Sequence, residues 1–410
     1  MKDGLNQPNL SEQKNKKKIC FWVILIIIIS AIGLYCYLDW QSSRPVDDFI
    51  SPLGPIVDTN TTPKIIPQQI LDNKFGWLGG GIEDSGDGIV EKEGGWMRPH
   101  PGAFVWDMMQ KSKDGEIDFS LADTEVKNIQ KNNLGILATI WPFADWDQKN
   151  LSDAENCKVS ENDEFLPKND KKGRGVYLPE CRCNPSDWAS YQKFVEAVVE
   201  RYDGDGISDM PGLIIPIKYW EVMNEPDLQY GSNAPIGDSD RLTFYKQGPT
   251  EYGELLKKSY FSIKSADSTA SVLIAGAAGA DERMLGFYEE VFADPETKTS
   301  FDIGNIHCIS NDQQTHDFNV TAYKKMLASF GITKPIWVTE AEAMYGTTGE
   351  TNFQSTKTST TGAIAAGAER IFFTRDDFGD TRTDMSKINT ASDYPSAEKY
   401  REIIKSYLNK

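Results

Sequence analysis

Two short apolar segments of this sequence each end in a carboxylate. The first, Lys218-Tyr-Trp-Glu-Val-Met-Asn-Glu-Pro-Asp227, closes on Asn224-Glu225-Pro226, and proline stops a strand ladder just after the acid. The second, Lys334-Pro-Ile-Trp-Val-Thr-Glu340, closes on Glu340. Two facing carboxylates suit glycoside hydrolysis, in which an acid protonates the leaving oxygen and a carboxylate meets the developing oxocarbenium ion. At a separation of about 5 Å the second carboxylate attacks directly and the anomeric configuration is retained. A negative neighbour also sorts the roles. It raises the pKa of the acid, which falls again once the nucleophile is glycosylated, so one residue serves as acid and then as base.

The two acids must be brought to one place by the intervening chain. Short apolar runs at 75–78, 96–98, 135–141, 217–224, 272–276, 303–309, 335–340 and 370–374 read as strands. Stretches with three- and four-residue apolar spacing at 123–132, 187–202, 249–266, 281–292, 321–330, 356–367 and 396–408 read as helices. Eight strands alternating with helices predict an α/β fold, a (β/α)₈ TIM barrel. A doubly wound sheet also alternates, but Gly79-Gly80-Gly81 is not the phosphate-binding G-x-G-x-x-G turn. Glu225 and Glu340 are 115 residues apart, about 38 for each of three βα units, which puts both at the same C-terminal mouth. Polar insertions at 147–186 and 227–248 follow the third and fourth strands, where barrel enzymes carry substrate loops.

The pairing of WEVMNEPD with WVTE at this spacing resembles clan A glycoside hydrolases over residues 73 to 408. The segment from Tyr252 to Asp267, with His307, is similar to the β-xylosidase and α-iduronidase branch or the cellulase-like family nearby. That resemblance implies Glu225 as acid/base, Glu340 as nucleophile and Asn224 as the residue bonding the sugar 2-hydroxyl; Asn224 as a mere turn cap is the alternative. His307 is expected either to donate to a sugar or to Glu340, or to be a satisfied core histidine. Arg98 ends the second strand and either orients Glu340 or partners Glu221, which must also point inward by strand alternation if Glu225 does. One departure is that many clan A enzymes end the eighth strand in tryptophan, whereas Arg375 and Asp376 stand there.

Aromatic residues near the mouth are Trp77, Trp106, Trp141, Trp146, Tyr230 and Tyr345, and sugars present apolar C–H faces that stack on such rings. Trp141 and Trp146 are the expected platforms, with Tyr345 a further substrate-binding candidate. Trp220 and Trp337 are expected to face the helices, because Glu225 and Glu340 face inward. Asp203, Asp205 and Asp209 alternate as in a calcium loop but lack its final Glu, so a plain turn is the expectation and a structural calcium ion the alternative. No catalytic metal and no cofactor is expected. Cys157 is expected to pair with Cys181 or Cys183, and Cys308 to be a small buried hydrophobe.

The chain has 410 residues and a net charge of −18. The first eighteen residues carry +3, leaving about −21 on the rest, a charge that repels phosphate backbones and argues against a nucleic-acid partner. Ile19 to Leu38 is twenty uncharged residues, long enough to span a bilayer. Lys14, Lys16, Lys17 and Lys18 precede it, which places the tail 1–18 in the cytoplasm and the barrel outside the cell. Bulky Tyr35-Cys36-Tyr37-Leu38 argues for an uncleaved membrane anchor over a signal peptide. Residues 39–72 carry five prolines and read as a tether to a catalytic domain over 73–410. The whole predicts a membrane-anchored retaining glycosidase acting on a carbohydrate substrate. A non-catalytic carbohydrate-binding protein on a degenerate barrel is the alternative, and it would be marked by loss of one carboxylate. Protease added to intact cells is expected to digest the barrel and spare the first eighteen residues; destruction of that tail instead would reverse the topology.

Overall fold

The computed structural model describes residues 63–171, 173–230, 242–308, 316–342, 349–374 and 397–408. The chain divides into two units, 1–55 and 56–410, and every described residue belongs to the second. The expected span at 19–38, Tyr345, Arg375 and Asp376 lie outside the described residues. Among the described residues no helix is long and apolar enough to cross a membrane.

Eight parallel strands form at the expected places: β1 Phe75–Gly79, β2 Trp96–Pro99, β3 Gly135–Ile140, β4 Tyr219–Val222, β5 Ser271–Ile274, β6 Gly304–Cys308, β7 Ile336–Ala341 and β8 Ala368–Phe373. The sheet runs β5-β4-β3-β2-β1-β8-β7-β6, and its ends meet through parallel bridges Leu273↔Ile303 and Ala277↔Ile306. A hydrogen bond from His307 N to Ala277 O, 2.8 Å, helps complete that seam. Helices cover the outside. The helix Trp188–Tyr202 starts where the Asp187 carboxylate accepts from Ser190 N, and it buries Tyr191, Phe194, Val195, Val198, Val199 and Tyr202. The helix Glu282–Val291 is capped likewise by Asp281.

The barrel floor is an aromatic layer. Trp96 of β2, Tyr219 of β4 and Trp337 of β7 meet across the interior, with ring centroids 4.8 Å apart for Tyr219 and Trp337 and 6.1 Å for Trp96 and Trp337. The Arg370 guanidinium lies 4.3 Å from the Trp96 ring centre and donates to the carbonyls of Leu71 and Asn73. Ile66 and Ile70 are buried beneath this layer. The chain of the barrel therefore begins before residue 73, and the last part of the expected tether is the barrel's own plug.

Trp337 does not face the helices. A period of two counted back from Glu340 fails because β7 carries one extra residue: Ile306 pairs with Val338, but His307 pairs with Glu340. Thr339 and Glu340 both turn inward, so alternation from Thr339 puts Trp337 inside as well. Trp220 does pack outward, against Phe104 at 5.4 Å.

The two insertions are fastened to each other. Arg182 donates through Nη2 to Asp163 at 2.7 Å, both side chains are fully buried, and Asp163 also accepts from Thr243 N. Tyr245 Oη donates to Asn184 Oδ1 at 2.7 Å. Cys157 pairs with Cys183, while Cys181 and Cys308 are buried. Asp163→Ala would leave the Arg182 charge buried without its carboxylate, and it is expected to lower stability by about 3–5 kcal/mol in thermal or urea unfolding; an unchanged midpoint would show that the pair does not fasten these loops.

Candidate active site

Five strands deliver polar side chains to the upper barrel. Glu221 lies two residues after Tyr219 on β4 and points inward as alternation requires, while β2 supplies Arg98, β3 Thr139, β6 Asn305 and His307, and β7 Thr339 and Glu340. Beyond β4 the chain leaves strand geometry. Met223 has φ 69° and Glu225 φ 41°, left-handed values that cost a side-chain-bearing residue about 1–3 kcal/mol each. Backbone bonds from Met223 N to Ile140 O, 3.1 Å, and Glu225 N to Gly276 O, 3.2 Å, hold the turn. This carries Glu225 back over the barrel interior.

Arg98 serves both roles weighed for it. Nε donates to Glu221 at 2.8 Å, Nη1 to Glu340 at 2.8 Å and Nη2 to Asn224 Oδ1 at 2.6 Å. His307 Nδ1 lies 2.7 Å from Glu225 Oε1 and Nε2 lies 2.8 Å from Thr339 Oγ1. The same Nδ1 is 3.8 Å from Glu340. One oxygen of Glu225, one of Glu340 and a nitrogen of His307 all fall within 4.8 Å of one another. Glu225 and Glu340 are each 5% exposed, so both lie at the edge of the buried network with a face to solvent. Asn224 Nδ2 is buried with no hydrogen-bond partner among the described residues, a donor left over for a ligand.

The two carboxyls have different environments. Burial, with the charge of Glu221 adding to it and Arg98 opposing, pushes Glu225 up to about 8. Burial rather than the other acid of the pair is thus the main cause. Burial also raises Glu340, and Arg98 at 2.8 Å opposes it. Burial lowers His307 to about 4, so at neutral pH the permanent positive charge in the site is Arg98. Asp227, fully buried behind Glu225, is raised well above the usual carboxylate range by burial and then by the charge of Glu225.

Of the aromatic candidates, Trp141 is fully buried and donates to Pro101 O at 2.7 Å, and Trp146 packs on Trp106 at 5.0 Å with its Nε1 donating to Gln110 O. Trp141 is thus closed to solvent, while Trp146 is half-buried. Asp203, Asp205 and Asp209 do gather, and Asp209 accepts from Gly204 N and Gly206 N and pairs with Lys64 at 3.3 Å. Sequence reasoning missed Thr139, Asn305, Thr339 and Gly276. Asn305 stands two before His307 on the same strand and was findable by alternation. Gly276 was not: a methyl group there would collide with His307 Nε2, and only the closed barrel brings them together.

No protein-family model matches the sequence, and no curated protein does. Solved structures do. A glucosidase from Croceicoccus marinus matches with TM-score 0.53 and 15% identity over 85% of this chain and 69% of that one. An endo-1,4-beta-mannanase from Rhizomucor miehei matches with TM-score 0.50 and 14% identity over 82% and 95%. Xylanase 10B from Thermotoga petrophila RKU-1, solved with xylobiose, matches with TM-score 0.50 and 13% identity over 85% and 99%. The fold is that of barrel glycoside hydrolases. What the chain shares with these proteins is the barrel fold.

A pKa near 8 against 4.5 in the unfolded chain means that folding keeps a proton on Glu225. The stability this group contributes is full below pH 4.5 and is lost as pH rises through 8. Glu225→Gln mimics the protonated form and is expected to stabilise the protein at pH 7 by on the order of 3 kcal/mol. The gain should vanish near pH 4 in melts across pH, and a gain independent of pH would contradict a raised Glu225.

Proposed function

We propose that the chain is a retaining glycoside hydrolase of clan A type, with Glu225 as acid/base, Glu340 as nucleophile and an extracellular oligo- or polysaccharide as substrate. The observation that carries this reading is the unequal bonding of two carboxyls whose nearest oxygens lie within 4.8 Å: one is hydrogen-bonded to His307, the other is bound by Arg98. Oxygens this close fit the carboxyl spacing of about 5–5.5 Å of retaining enzymes better than the roughly 6.5–9.5 Å of inverting ones.

In the first step Glu340 attacks the anomeric carbon while Glu225 gives its proton to the departing glycosidic oxygen. Asn224, oriented by Arg98 through its Oδ1, turns its free Nδ2 toward the sugar 2-hydroxyl. Once Glu340 is esterified its charge is gone, and Glu225, now a carboxylate, takes a proton from the water that attacks the same carbon and releases Glu340. The neighbours named above are a glucosidase, a mannanase and a xylanase, and in this chain the insertions at 147–186 and 227–248 are the elements that would select among such sugars. The basic tail and the uncharged run 19–38 support a single-pass anchor with the barrel outside the cell.

Glu340→Ala is expected to be inactive and to form a glycosyl azide of inverted configuration when azide is added. Glu225→Ala should lose about 10²–10⁴-fold on substrates with poor leaving groups. Hydrolysis unchanged in either variant, scored on a glycan library, would remove the assignment.

A further inference from the structure

The polar groups around His307 form a chain whose donor and acceptor directions can be read from one end. It starts at Glu221, whose Oε2 accepts from Arg98 Nε at 2.8 Å and from Thr139 Oγ1 at 2.6 Å. Its Oε1 therefore presents a carboxylate oxygen to Asn305, which must offer its amide Nδ2, at 2.7 Å. That fixes the amide of Asn305, so its Oδ1 faces Thr339 and takes the hydroxyl proton, at 2.7 Å. With its proton committed, Thr339 Oγ1 can only accept from His307 Nε2, at 2.8 Å. A neutral imidazole carrying its hydrogen on Nε2 has a bare lone pair on Nδ1. The 2.7 Å contact between Nδ1 and Glu225 Oε1 then needs a proton from the carboxyl.

We infer that Thr339 is a positioning residue: by holding His307 in the Nε2–H tautomer, with its own direction set by Asn305 and Glu221, it obliges Glu225 to carry the acid proton. Its catalytic meaning rests on the glycosidase reading; the tautomer does not.

The competing arrangement is an ion pair of imidazolium and Glu225 carboxylate. Among the described residues the charged groups facing His307 are Glu225 and Glu221 from the β4 side, Glu340 from β7 and Arg98 from β2, while the segment after β5 brings Gly276 against it. Arg98 already balances two of these carboxylates through direct bonds, and a second cation beside it in a fully buried ring would be desolvated and repelled. Burial lowers His307 and raises Glu225, which points the same way.

The Thr339 position arises only because of the extra residue in β7. Without it, Glu340 and Thr339 could not both face the interior. The bulge thus supplies a nucleophile and, one residue earlier, the group that sets the proton on the opposing acid.

The test is ¹⁵N NMR of the full chain labelled at its three histidines, His100, His307 and His316, with His307→Gln for assignment. The expected wild-type result is a neutral His307 with protonated Nε2 and bare Nδ1, unchanged between about pH 5 and pH 7. Thr339→Val should lose that preference and Thr339→Ser keep it. On any glycoside that wild type hydrolyses, Thr339→Val should lower kcat/KM for alkyl leaving groups by more than about tenfold while sparing dinitrophenyl leaving groups that need no proton, with Thr339→Ser restoring the rate. An imidazolium or an Nδ1–H tautomer in wild type overturns the proposal, as does a Thr339→Val protein with unaltered tautomer. If Thr339→Val fails to fold, the wild-type tautomer still decides. A His307 found in the expected tautomer in a chain that hydrolyses no glycoside leaves the positioning intact and removes the hydrolase reading instead.

Discussion

The upper barrel depends on one guanidinium. Arg98 is fully buried and reaches three groups on two other strands and the turn after one of them, Glu221, Glu340 and Asn224, each within 2.8 Å. A charge so placed loses its hydration, and only bonds to carboxylates in this geometry offset the loss. The fork of donors has a fixed shape, so it also fixes where β4 and β7 must end relative to β2. Burial works against the guanidinium charge, but Glu221 and Glu340 outweigh it and raise its pKa.

Beneath this polar layer the barrel is aromatic and apolar. Trp96, Tyr219 and Trp337 fill the floor, and Arg370 is stacked among their rings with its donors turned to the carbonyls of Leu71 and Asn73. Above it, the 147–186 segment and the residues from Thr243 to Tyr245 are tied together around Arg182 and Asp163. Arg98, Glu221, Asn305, His307 and Thr339 are all buried, so the network is surrounded by protein rather than solvent. That low-dielectric setting is why Glu225 is driven up to about 8 and His307 down to about 4.

The site also departs from regular backbone where the reacting groups stand. Glu225 sits at φ 41° after Met223 at φ 69°, and Glu340 follows an extra residue in β7. An undistorted β4 would send alternate side chains to the helices and could not bring Asn224 to Arg98 and Glu225 to His307 in succession. Backbone bonds to Ile140 and Gly276 hold that turn, and the missing side chain of Gly276 leaves the space His307 occupies.

Apolar runs alternating with amphipathic stretches were enough to place eight strands and the long helices, because burial imposes its period directly on residue order. Asn224-Glu225-Pro226 and the acid after Ile-Trp-Val-Thr were likewise visible, since a carboxylate closing an apolar strand has few structural uses. Three things were settled only by the closed barrel. The inward face of Trp337 depends on a bulge, which adds a residue that no period reveals. The partition of Arg98 between Glu221 and Glu340 depends on cross-barrel distances. The choice of Cys183 over Cys181 for Cys157 depends on loop geometry. The Thr339, Asn305 and Glu221 relay joins residues of three strands, and hydrogen-bond direction passes along it only when all three are in place; residue order holds the components, and three-dimensional closure gives them polarity.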